Sequence, residues 1–128
     1  MNLAYIAGFF DGEGCVSIAK NGSLTVSVVN TSLPVLEMMV DVLGVGVINN
    51  RTQKVNKRQY AYRAYGDDAA AVLRSLLPFL IEKKPQAETA LDYFDNHRGG
   101  VRKAGVKGLF KNPMRDVFRA KLTEQKFA

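Results

Sequence analysis

The 128-residue sequence predicts one α+β domain over residues 1–97, ordered αββαββαα, followed by a basic C-terminal extension over residues 98–128. Three observations carry this. CVSIAK and LTVSVVN alternate apolar and polar residues on either side of Asn21-Gly22, the dipeptide that suits a tight type I′ hairpin turn. GVINNRT and QYAYRAY form a second strand pair around a polar, basic loop from Gln53 to Arg58. Segments with helical spacing and terminal signals lie before, between and after the two pairs.

Asn2 can cap a first helix running to about Asp11, because its side-chain oxygen can accept one of the free amide protons of the first turn. Gly12 and Gly14 stop it. After the first hairpin, Thr31 or Ser32 caps a helix with Pro34 in its first turn, apolar positions at Val35, Leu36, Met39, Val40 and Leu43, and Gly44 just past its end. Asp67 or Asp68 caps a third helix that Pro78 ends. A fourth starts near Lys84 with Pro85 and runs to about Asn96. Asn112-Pro113 opens a last helix bearing Arg115, Arg119 and Lys121, basic and only weakly amphipathic.

Composition narrows the function classes. No segment approaches the roughly 20 apolar residues of a membrane span, and no secretion signal is visible, so the expectation is a cytoplasmic protein without a membrane partner. Cys15 is the only cysteine and is expected to be small and buried; with His97 as the only histidine, a structural zinc site is excluded. Any metal must be held mainly by oxygen. The formal charge is +6 and the pI about 9.6, which suits a polyanion. Residues 98–128 hold nine Lys or Arg against two acids, and the first 97 hold nine against ten. Within that near-neutral body Arg51, Lys54, Lys57, Arg58 and Arg63 cluster with no acid between them.

In the first helix Ala4, Gly8 and Gly12 recur every four residues and form a bare stripe on which another helix could lie closely. Glycine in mid-helix costs roughly 1 kcal/mol relative to alanine, so Gly8 calls for a packing reason. Leu3, Ile6 and Phe10 lie on another side, toward the core. Ala7 and Asp11 are assigned with Ala4, Gly8 and Gly12 to the interface with the partner helix. The helix ends in Asp11-Gly12-Glu13-Gly14, where the dipole is negative and the last carbonyls lack intrahelical partners. Alone, DGEG fits two readings: a plain helix-to-strand turn, or oxygen ligands for a hard cation such as Mg²⁺.

IAGFFDGEG, Ile6 to Gly14, resembles the nine-residue motif that names the LAGLIDADG homing endonucleases, with the small residues, both acidic positions and both glycines in register. The element order resembles that family's fold, GVGVINN its third strand, and LLPFLIEKKPQA, Leu76 to Ala87, its segment bearing an active-site lysine. The resemblance covers about residues 2–96. It implies a four-stranded antiparallel saddle on the major groove of double-stranded DNA, an active homodimer of single-motif chains, and two or more Mg²⁺ ions shared at the dimer axis. Glu13 takes the place of the metal-ligating acid, and the Gly12 carbonyl that of a backbone ligand, while Asp11 is structural. Many members have aspartate where Glu13 stands. Lys83, rather than its neighbour Lys84, aligns with the basic residue near the scissile phosphate, and Asn30 stands where some members order the attacking water. The implied reaction is phosphodiester hydrolysis leaving short 3′ overhangs, with no small-molecule substrate, from an intron-encoded or free-standing reading frame.

On the first hairpin Val16, Ile18, Val26 and Val28 share a core face, leaving Ser17, Ala19, Thr25 and Ser27, with Lys20 at the turn, toward DNA. Asn49 and Arg51 point to the groove if Ile48 points inward. The fourth strand is ambiguous: Tyr60 and Tyr62 lie on one side, Ala61 and Arg63 on the other. Gln53, Lys54, Lys57, Arg58 and Lys84 are expected at phosphates. Arg102, Lys103, Lys107 and Lys111 add backbone contacts from the extension, whose helix is expected to dock only with DNA. A rival class is a non-cleaving binding module of the same fold, a transcriptional regulator or an intron RNA maturase. Another is a nuclease of the PD-(D/E)xK type, loosely mimicked by Glu82-Lys83-Lys84 after Asp67 or Asp68, but that chemistry places its acid and lysine on strands and these acids are expected in helices.

Overall fold

The computed structural model describes residues 3–50, 59–97 and 113–126. Its elements are α1 (Leu3–Glu13), β1 (Gly14–Ile18), β2 (Leu24–Asn30), α2 (Leu33–Leu43), β3 (Val47–Asn50), β4 (Tyr60–Tyr65), α3 (Asp67–Leu76), a 3₁₀ turn (Leu77–Phe79), α4 (Lys84–Asp92), a π turn (Tyr93–His97) and α5 (Pro113–Lys126). The expected αββαββαα order holds, and no described helix is long and apolar enough to cross a membrane.

The junction of α1 with β1 is tighter than the sequence suggests. The helix continues through Gly12 to Glu13, and Gly14 begins the strand with no loop between them. The ring of Phe10 lies where a side chain on Gly14 would stand, so glycine is required there by close packing. The hairpin turn also differs. Gly22 N–H donates to Ala19 O and Ala19 N–H to Ser23 O, both at 2.8 Å, and Gly22 has φ 90°. This is a three-residue loop with a glycine bulge, not the two-residue turn expected from Asn-Gly. Asn21 instead uses its side-chain oxygen to accept from Ser23 N–H at 2.9 Å.

At α2 the cap residue is Ser32, yet its hydroxyl caps nothing; Asn30 Oδ1 accepts the Ser32 N–H at 2.8 Å and fixes the approach to the helix. Gly44 ends it in the left-handed conformation. Gly66, one residue earlier than expected, caps α3, with Asp67 and Asp68 in the first turn where the dipole favours acids.

The sheet is fully antiparallel, in the order β1-β2-β4-β3. Its register puts Val16, Ile18, Leu24, Val26, Val28, Tyr62 and Ala64 on one face, which the helices cover, together with Ile6, Phe10, Leu36, Met39 and Leu73. Tyr62 is fully buried and its hydroxyl donates to Val45 O at 2.7 Å. Its ring fills the space beside Gly46, whose φ of 103° and lack of a side chain permit the approach.

Candidate active site and nucleic-acid interface

The end of α1 is held by a segment 70 to 72 residues away in sequence. Asp11 Oδ2 accepts from Ile81 N–H at 2.8 Å and Asp11 Oδ1 from Lys83 N–H at 2.9 Å, while Lys83 Nζ donates to Asp11 O at 2.7 Å. The carboxylate clamps the loop before α4, and the ammonium caps a carbonyl that the helix leaves open. The structural role expected of Asp11 is therefore seen in its bonds, and its carboxylate is used within the chain. Glu13 is exposed at the last position of α1, and Gly12 beside it is exposed too. Of the two lysines, Lys83 is half-buried against α1, and Lys84 is exposed at the start of α4. Asn30 ends β2 at the same end of the sheet, two residues past Val28, which pairs with Gly14. Its side-chain oxygen is taken by Ser32, which leaves the amide nitrogen for other work.

Among the described residues no group of three or more His, Cys, Asp or Glu stands together to hold a metal ion. The acidic end nonetheless offers the right donor type for a hard cation: the Glu13 carboxylate, plus main-chain carbonyls at a helix C-terminus. At that end Glu13 is exposed to solvent, while the Asp11 carboxylate is taken by the Ile81 and Lys83 amides.

Along α1, Ile6, Ala7 and Phe10 are fully buried, whereas Ala4, Tyr5, Gly8 and Gly12 are exposed. Ala7 is thus corrected from the interface to the core, because its turn of the helix faces α1's own domain. A side chain on Gly8 or Gly12 would meet nothing within 4 Å. Tyr5, 53 % exposed, belongs to this bare side and was not singled out from the sequence, although its position three residues before Gly8 is the signal.

The second face of the sheet has no helix of the described chain packed across it. Its register forms three cross-strand rows: Ser17, Thr25 and Tyr65; Cys15, Ser27, Arg63 and Val47; Val29, Ala61 and Asn49. Ser17, Thr25, Ser27, Asn49 and Arg63 lie where the alternation puts them, and Ala19 and Lys20 are at the hairpin turn. Cys15 is half-exposed rather than buried. Tyr62 and Tyr60 are corrected: both lie on the helix-covered face, Tyr62 wholly buried and Tyr60 packed against the core. Burial, assisted by the charge of Asp68, pushes the Tyr62 hydroxyl up to about 12. Once Tyr62 is inward, the same alternation turns Tyr65, 50 % exposed, and Val47 outward, residues the sequence reading missed. Arg51, Gln53, Lys54, Lys57 and Arg58 lie outside the described residues, as do Arg102, Lys103, Lys107 and Lys111.

The last helix departs from expectation. Phe118 and Leu122, one turn apart, are buried, and the Phe118 ring lies 5.5 Å from that of Tyr93 in the π turn. This apolar pair docks α5 on the chain's own α4 and β1.

The αββαββαα order with an open four-stranded antiparallel sheet matches the fold of the homing endonucleases. Residues 1–76 match the LAGLIDADG-like domain, and the chain belongs to that family. Among solved structures it is similar to the homing endonuclease I-CvuI in complex with its target in the presence of Ca, at 19% identity and TM-score 0.60 over 97% of this chain and 94% of that one. It is similar also to I-TnaI (18%, 0.61, 98% of both chains) and to the archaeal intron-encoded I-Vdi141I complexed with DNA (18%, 0.57, 98% and 97%). At these identities the likeness is one of fold. A search of the curated proteins gave no match.

Proposed function

We propose that this chain is a site-specific endonuclease that cuts both strands of a long pseudo-palindromic DNA duplex as a homodimer with divalent metal. The observation that carries the reading is the clamp at the end of α1, where Asp11 draws Lys83 across 72 residues to the helix end that exposes Glu13. A binder of a polyanion has no chemical need for a free carboxylate at that helix end. The structure of the homing endonuclease I-CvuI in complex with its target in the presence of Ca supports the DNA-binding half of this reading.

The roles we assign start from the position of each residue and, for Lys83 and Asn30, from its bonds. Glu13 and the Gly12 carbonyl would hold the metal. The Lys83 ammonium spends one proton on Asp11 O and keeps two for a phosphate oxygen, so the clamp orients the charge as well as placing it. Asn30, its oxygen fixed by Ser32, presents its amide nitrogen to a water or phosphate. When bound, the divalent ions supply Lewis-acid activation of water and stabilisation of the leaving oxygen. The bare side of α1, Ala4, Gly8 and Gly12, packs on its copy about a twofold axis, which doubles the Glu13 set and makes the target pseudo-palindromic. Ser17, Thr25, Ser27, Arg63, Tyr65 and Asn49 face the base edges, Arg63 with the fork geometry suited to guanine.

The test uses a duplex selected by the protein from a randomised pool. Wild type should cut it in Mg²⁺ and only bind it in Ca²⁺. Glu13→Gln should lose at least about a hundredfold in cutting rate, on the scale of removing one electrostatic contact to the transition state, with binding retained. Equal cutting by Glu13→Gln would sink the catalytic assignment, and binding without cutting by wild type would make the chain a regulator.

A further inference from the structure

Beside β1, the free edge strand of the sheet, a cleft of about 260 Å³ opens between Cys15–Ile18 and the Arg119–Lys126 stretch of α5. Val16, Ile18 and Leu122 line it on the core side. Ser17, Thr123, Arg119 and Lys126 line it with hydroxyls and positive charge. Arg119 and Lys126 are seven residues apart and so lie on one side of the helix, two turns from each other. The cleft is preformed, because Phe118 and Leu122 bury themselves in the domain and Phe118 rests on Tyr93. It is also continuous with the open sheet face: Ser17 lines the cleft and begins the row Ser17, Thr25, Tyr65.

We infer that this cleft is a phosphodiester-binding site, which seats a backbone phosphate of the duplex whose bases lie on the sheet. The inference rests on the DNA-binding reading above. Arg119 supplies planar paired donors, Lys126 a point charge and Ser17 a hydroxyl donor, the mixture that suits a tetrahedral anion, while the Thr123 hydroxyl donates to Arg119 O at 3.0 Å within the helix. The apolar floor takes the edge of the sugar. A docked α5 thus serves as the second wall of the DNA-binding surface.

Affinity for the selected duplex, measured from 0.05 to 0.2 M salt, tests this. Lys126→Gln, at the exposed helix end where folding is not at risk, and Arg119→Gln should each flatten the plot of log affinity against log salt by about 0.9 per engaged cleft. For a twofold dimer that is about 1.8, so wild type should lose about twelvefold more affinity than the variant across that range. The ranking of single base-pair changes should stay as in wild type, since phosphate contacts carry no sequence information. Lys121→Gln removes a charge from α5 outside the cleft and should flatten the plot less. Unchanged slopes for both cleft variants, an equal effect of Lys121→Gln, or an altered base ranking would each overturn the proposal. If the wild-type protein selects no duplex, the endonuclease reading fails by itself. The cleft is then read by NMR with inorganic phosphate: shifts at Arg119 and Thr123 keep the anion site, and their absence overturns it. Where a duplex is selected, shifts at these residues with inorganic phosphate but none with that duplex would overturn DNA as the source.

Discussion

Helix α1 and strand β4 each show two sides built to different rules. Inward, Ile6, Ala7 and Phe10 on α1, and Tyr62 and Ala64 on β4, are sealed from solvent and touch the chain's own core. Outward, α1 presents Ala4, Tyr5, Gly8 and Gly12, and β4 presents Arg63 and Tyr65. The inward residues are explained by this chain alone. The outward ones are not: two helical glycines carry a conformational cost with no neighbour to require them, and a tyrosine and an arginine stand on an open sheet face. Residues whose chemistry exceeds what their own fold needs mark the surfaces where other molecules complete the packing.

Substitutions separate the two sides by what they damage. The largest effect is expected from Phe10→Ala, which empties a core position against Gly14 and should cost about 3–5 kcal/mol, read by denaturant unfolding. A loss below about 1 kcal/mol would mean that the inward side is not packed as described. Asp11 is the residue that crosses the division, since it lies near the exposed end of α1 yet works inside the chain. Asp11→Ala removes both acceptors for the Ile81 and Lys83 amides and should cost about 2 kcal/mol. It should also raise hydrogen exchange at those two amides and slow cutting. Lost cutting with unchanged exchange would assign Asp11 to the chemistry instead of the clamp.

The division was partly legible in the sequence. Period-two alternation placed Val16, Ile18, Val26 and Val28 inward because the residues between them, Ser17 and Ser27, are small and polar, so only one register buries the apolar set. On β4 the same rule failed to choose, since tyrosine suits either face; the hydrogen bond to Val45 and the gap at Gly46, both set by chain folding, decide it. The hairpin turn was misread because Asn-Gly fits two turn lengths, and only the pairing of Ala19 with Ser23 distinguishes them. The Asp11 clamp joins residues 70 and 72 apart, beyond any local pattern, so geometry alone could exhibit it. For α5 the signal was present in Phe118 and Leu122 at i and i+4, but the surrounding charge hid a stripe only two residues long.

Tyr62 gives the next smaller effect and ties the inward side to pH. Its hydroxyl is held near 12 against an ordinary 10.0, so the folded state favours the protonated form. The resulting stabilisation is fully present below about pH 10 and is lost as pH rises toward 12. Tyr62→Phe should cost about 1 kcal/mol at pH 7, by leaving Val45 O unpaired, and should remove this residue's share of the alkaline loss. Parallel stability curves for variant and wild type between pH 9 and 12 would refute the burial argument.

The smallest effect, and the most discriminating, is expected at Gly8. Inside a helix alanine is favoured over glycine by up to about 1 kcal/mol, and here the added methyl meets nothing in the chain. Gly8→Ala should therefore leave the dissociated chain as stable or slightly more stable, as unfolding at nanomolar concentration would read. In a twofold pair the same methyl stands between two helix backbones and holds them apart. Sedimentation at micromolar concentration should then show weakened association, and cutting should fall with it. The two signs oppose each other only if the bare side is a contact surface. A variant that is more stable, associates as before and cuts as before would leave Gly8 without any packing reason and would remove α1 from the dimer axis.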